Sequence, residues 1–130
     1  MGAWGTAAFD NDDASDWVYD LEKRGIEAVD EALADVEEST DLEMPTDAHA
    51  IAAGEVIAAA MGRPVDGLRE DIAELTAAVA SQVTPDHASR ARAAAQRVIA
   101  RSELAELWDE SNEGAEWRRS VDDLVRRLTV

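Results

Sequence analysis

The sequence predicts an all-α fold: a compact single-domain bundle of about six to seven short helices with a non-helical N-terminal segment. Three observations carry this. Proline is nearly absent, at three in 130 residues, and alanine is abundant, so little interrupts helices. Apolar residues recur at i, i+3, i+4 and i+7 rather than alternating as in half-buried strands. With 46% hydrophobic residues and a length of 130, the chain can bury a core and reads as one domain over 1–130.

The elements follow in order. Met1 to Phe9 carries glycines at 2 and 5 and is expected to be non-helical. A first helix begins near Asp12 or Asp13, with Ala14, Trp17, Val18 and Leu21 on one face and Gly25 weakening its end. A second follows with Ile26, Val29, Leu33 and Val36 inward, then a loop from Ser39 to Pro45. Thr46 or Asp47 can cap a third, which ends at Gly62 before Arg63-Pro64. Because it is apolar nearly all round, it should be central and buried. A fourth spans about Gly67 to Gln82 with Leu68, Ile72, Leu75 and Val79 inward. Thr84-Pro85 is a cap followed by proline at the first helical position, and opens helix five. Ser102 caps a short sixth helix, and after Gly114 a last one places Trp117, Val121, Leu124 and Leu128 on one stripe.

The net charge of −17 is uneven. Residues 1–47 hold 15 acids against Lys23 and Arg24, whereas residues 84–130 hold 9 acids against 8 arginines. A polyanion disfavours nucleic acid and anionic membranes and favours a basic protein partner, with solubility as the plain rival explanation. No apolar run reaches the roughly 20 residues of a membrane span, and no basic-then-apolar leader opens the chain. With no cysteine, disulfides and thiolate ligands are excluded. A cytoplasmic location is the expectation.

Gly2-Ala3-Trp4-Gly5-Thr6, then Phe9-Asp10-Asn11-Asp12-Asp13-Ala14 and Asp16-Trp17, resemble the opening of a bacterial domain-of-unknown-function family, numbered 4259. Softer matches are Ala53-Gly54-Glu55-Val56-Ile57-Ala58-Ala59 ending at Gly62-Arg63-Pro64, and Glu106-Leu107-Trp108 with Glu116-Trp117. The resemblance spans nearly the whole chain. It implies a small, mostly helical bacterial protein and no particular reaction, cofactor or site.

Candidate binding residues are Glu55, Trp4, Asp10, Asp12, Asp13 and Asp16. Glu55 sits in the most apolar stretch, where a carboxylate is costly unless paired; an arginine or an indole N–H is its expected partner. Trp4, between glycines, reads as a core plug or an exposed anchor. The aspartates fail the EF-hand pattern: counted from Asp10, position 6 is Ser15 and position 12 is Leu21. Capping a helix start is their simpler role. Arg90, Arg97 and Arg101 form a basic stripe on helix five, expected beside the acidic helices. No phosphate loop, nucleophile elbow or His-Glu-x-x-His pattern is present, so neither metal nor cofactor is expected.

Two functions compete. The first is an acidic helical interaction module that docks a basic protein through Glu27, Asp30 and Glu31. The alternative is a carboxylate-based hydrolase, or a small-ligand or metal-binding protein, using Glu55 with the Asp10–Asp16 cluster. Composition favours a non-enzyme and is also compatible with an oligomer.

Overall fold

A computed structural model describes residues 7–129. Its helices are α1 (Asp12–Arg24), α2 (Ile26–Glu38), α3 (Thr46–Ala60), α4 (Glu70–Val79), α5 (Pro85–Ala100), α6 (Glu103–Asp109) and α7 (Gly114–Leu128), with a 3-10 turn over Ala80–Gln82. No β-strand occurs among the described residues. Residues 7–11 are non-helical and lead into α1. Trp4 lies outside the described residues.

Local chemistry sets the boundaries. Gly25, at φ +59°, ends α1 and starts α2, a conformation that disfavours any side chain. Thr84 Oγ1 accepts the His87 N–H at the start of α5, and Ser102 Oγ accepts the Ala105 N–H at the start of α6. Two expectations need correction. Helix four begins at Glu70 rather than near Gly67, because Gly67 is held at φ +76° in the preceding turn. Neither Thr46 nor Asp47 occupies the cap position of α3; Pro45 does.

Helix α3 is the hub, touching all six other helices. Ala50 to Ala58 are buried without interruption, which suits a helix apolar on every side. The small alanines bring neighbouring helices close. A Cβ at Gly54 would stand 3.1 Å from Leu124 Cδ2 of α7, so this crossing is already tight. The other helices each turn one stripe inward: Trp17 and Leu21, Val29 and Leu33, Ile72 and Val79, Ala91 and Val98, Leu104 and Trp108, Val121 and Leu124. Tyr19 and Met44 are the exposed large hydrophobic residues among those described.

Of the described glycines, Gly114 at the α6–α7 junction leaves the least room for a side chain. A Cβ at Gly114 would meet the Trp108 carbonyl oxygen at 2.6 Å. Gly114→Ala should therefore cost about 2 kcal/mol, despite the better helix propensity of alanine, and Gly54→Ala distinctly less. Thermal unfolding of the two variants checks the order; equal melting temperatures would contradict the packing described here.

Candidate functional site

Glu55 is 2% exposed, at the heart of α3. Arg127 of α7 grips it bidentately: Nη1 donates to Oε1 at 2.8 Å and Nη2 to Oε2 at 3.0 Å. Arg127 Nε donates to Asp123 Oδ2 at 2.7 Å, so one guanidinium joins two carboxylates. Burial opposes the Arg127 charge, but the bonds to Glu55 and Asp123 outweigh it and raise its pKa. Arg63, just after α3, donates through Nη1 to the carbonyls of Arg127 and Thr129 at 3.1 and 2.6 Å, closing the end of α7. Beside the pair, Glu55 lines a cavity of about 90 Å³ with Phe9, Asp10, Leu68 and Ser120. Both Glu55 oxygens accept hydrogen bonds from Arg127, and Asp10 is the other carboxylate lining the cavity.

The N-terminal acids disperse. Asp10 faces the Glu55 cavity, whereas Asp16 and Asp20 line a separate cleft. Asp12 and Asp13 lie in the first turn of α1, where negative charge suits the helix dipole. The capping side chain is Asn11, whose Oδ1 accepts the Ala14 N–H at 2.8 Å; sequence reasoning, drawn to the charges, passed over it. Among the described residues no group of three or more His, Asp or Glu side chains is placed to hold a metal ion.

The separate cleft, of about 230 Å³, runs between α1 and α2. Trp17, Ala28 and Ala32 form its apolar floor; Asp16, Asp20, Glu31 and Asp35 ring it, with His49 of α3 alongside. Trp17 Nε1 donates to the Ala28 carbonyl at 3.4 Å, tying the two helices beneath the cleft. Arg24 spans part of the rim, reaching Asp20 at 3.0 Å and Glu31 at 2.8 Å. Its hydrogen bond holds the Glu31 carboxyl below the usual range. The opposite flank of α2 is covered by α5. Arg90 pairs bidentately with Glu37, both bonds at 2.8 Å, and Arg97 donates to the carbonyls of Val36 and Ser39. Of the anticipated docking residues, Asp30 accepts from or pairs with His87 Nε2 at 2.7 Å, Glu31 is bound to Arg24, and Glu27 is exposed.

A family model described as "Domain of unknown function (DUF4259)" matches residues 2–120. The chain belongs to this family. No curated protein and no solved structure matches it.

In this DUF4259 chain the motif residues within the described region have separate structural tasks. Asn11 caps α1, Asp10 and Glu55 share one cavity, and Arg63 seals the end of α7. One further constellation has the outline of a nucleophile relay: Thr84 Oγ1 lies 3.0 Å from His87 Nδ1, and His87 Nε2 lies 2.7 Å from Asp30. Its geometry is that of a capping box. His87 Nδ1 accepts the Thr84 N–H at 3.0 Å, and Thr84 Oγ1 accepts the His87 N–H, so both atoms serve the helix start.

Removing Glu55 should leave the Arg127 guanidinium, whose side chain is only 13% exposed, with Asp123 as its one remaining carboxylate partner. Glu55→Ala should lower stability by about 2 kcal/mol, and Glu55→Gln by a comparable amount, because an amide cannot replace the carboxylate's charge and Asp123 offsets only part of the loss. Urea unfolding measures both. A glutamine variant as stable as the parent would show that shape, not charge, holds the pair.

Proposed function

We propose that this chain is a small acidic docking module that receives cationic side chains of a basic protein partner on its α1–α2 face. The observation that carries the reading is the occupancy of the cleft rim. Arg24, the chain's own guanidinium, already bridges Asp20 and Glu31, while Asp16 and Asp35 make no ion pair among the described residues. A partner's arginine or lysine has the same chemistry as Arg24 and fits the unmatched half of the rim. Glu27, Glu31 and Asp35 recur every four residues along α2 and extend the negative stripe beyond the cleft. Exposed charges of this kind raise association rates more than they slow dissociation, and salt screens them over about 8 Å at physiological strength.

The hydrolase alternative gains no comparable support, since Glu55 is bonded to Arg127 and, of the Asp10–Asp16 aspartates, Asp10 alone lines its cavity. A cytoplasmic setting goes with the docking reading; no helix among the described residues is long and apolar enough to cross a membrane.

Titrating the isotope-labelled protein with a hexa-arginine peptide tests this. Shift changes should centre on the Trp17 indole N–H and the Asp16, Glu31 and Asp35 amides, and fade with added salt. The double reversal Asp16→Lys with Asp35→Lys should weaken binding about tenfold, at under 1 kcal/mol per exposed charge, while the fold remains intact. Changes centred on another face, or unaltered affinity in the double variant, would overturn the assignment.

A further inference from the structure

Two carboxylates are buried among the described residues, Glu55 and Asp47, and only Glu55 has a cationic partner. Asp47 is 0% exposed. Its Oδ1 accepts the Ala48 N–H of α3 at 2.7 Å, and its Oδ2 accepts the Leu104 N–H of α6 at 2.9 Å. One side chain thus satisfies free amides at the starts of two helices. The same junction is fastened twice more: the Glu103 N–H donates to the Leu42 carbonyl at 2.8 Å, and the Met44 N–H donates to Glu103 Oε1 at 2.8 Å. Beside this junction lies a groove of about 430 Å³, walled by Thr40 to Glu43 on one side and by Ser102, Glu103 and Glu106 on the other.

The charges around Asp47 make it an uneasy anion. Asp13 of α1 and Glu103 of α6 face it, both negative. Glu43 of the connecting segment supplies a carbonyl to the Asp47 N–H and a further negative side chain nearby in the chain. At the end of α5, Arg97 is turned to the Val36 and Ser39 carbonyls, and Arg101 is exposed on the groove; neither forms an ion pair with Asp47.

We propose that Asp47 is a proton-operated latch: a proton taken up by its carboxyl holds α6 and the 39–45 segment closed against α3, and its release eases opening of the groove between them. Burial, above all, pushes the closed-state carboxyl up to about 6; the Leu104 and Ala48 amides oppose this, and Glu103 and Asp13 add to it. Once opened to water, the same group returns to an ordinary value of about 3.9. Between these values the closed state binds more protons, so acidification favours closure; above about pH 6 the benefit is lost. The ion-paired carboxylates Glu31, Glu37, Asp71 and Asp109 shift the other way, and their contribution is lost only below the usual carboxylate range. Their window and that of Asp47 are separate.

Amide hydrogen exchange of Met44, Glu103 and Leu104 reads the latch, corrected for intrinsic exchange. In the parent protein their opening should fall about tenfold from about pH 7 to about pH 5, and in Asp47→Asn it should not depend on pH. No change in the parent, or the same fall in Asp47→Asn, would overturn the proposal. Should the asparagine variant not fold, carbon-13 titration of the Asp47 carboxyl in the parent decides the matter. A midpoint near 6 supports the latch, and one in the ordinary carboxylate range overturns it.

Discussion

A helix apolar on every side must be surrounded on every side, and the architecture follows from that requirement in α3. The six other helices are each in contact with it, and its alanines and Gly54 let them approach closely. Near the middle of this helix the chain places a carboxylate, Glu55. There a counter-charge within bonding distance offsets the cost of burial, and a neighbouring helix brings it. Arg127 provides it from the last turn of α7, and Arg63 returns from the end of α3 to cap the same turn. The termini of α3 and α7 are thereby fixed to one another, through one buried ion pair and a pair of carbonyl contacts.

The acidic balance of the chain is distributed by the same packing. Arginines of α5 meet the carboxylate and carbonyls along one flank of α2, and His87 meets Asp30. On the flank facing α1, Arg24 bridges Asp20 and Glu31 and His49 lies alongside, while Asp16 and Asp35 make no ion pair among the described residues. A negative cleft is what remains after internal neutralisation, and its position follows from which side of α2 is covered by α5.

Much of the fold was legible because its signals are local. Thr84-Pro85, Ser102 and Gly25 mark helix ends through their own backbone chemistry, and the stripes of α1, α2 and α7 follow the helical period. The uniform apolarity of residues 48–61 announced a central helix. Glu55 stood out as a carboxylate within that run, and its need for a partner could be stated from sequence. The partner's identity could not. Arg127 lies four residues after Asp123, a spacing that by itself accounts for a surface pair, and that pair does form, but the same guanidinium also reaches 72 residues back along the chain. Asp47 was equally opaque: it resembled a cap for its own helix, whereas half of its bonding goes to α6, a placement that depends on tertiary contact alone. The internal partners of Asp30 and Glu31 were hidden for the same reason, since both lie across helix interfaces.

The central claim is that Glu55 and Arg127 stabilise the hub as a mutually dependent pair. A double-mutant cycle with Glu55→Gln and Arg127→Met, followed by urea unfolding, measures that dependence directly. The account predicts a coupling energy of about 2 kcal/mol or more, with the double variant less damaged than the sum of the singles. Additivity to within about 0.5 kcal/mol would contradict it, and would mean that each side chain is held by its surroundings rather than by the other.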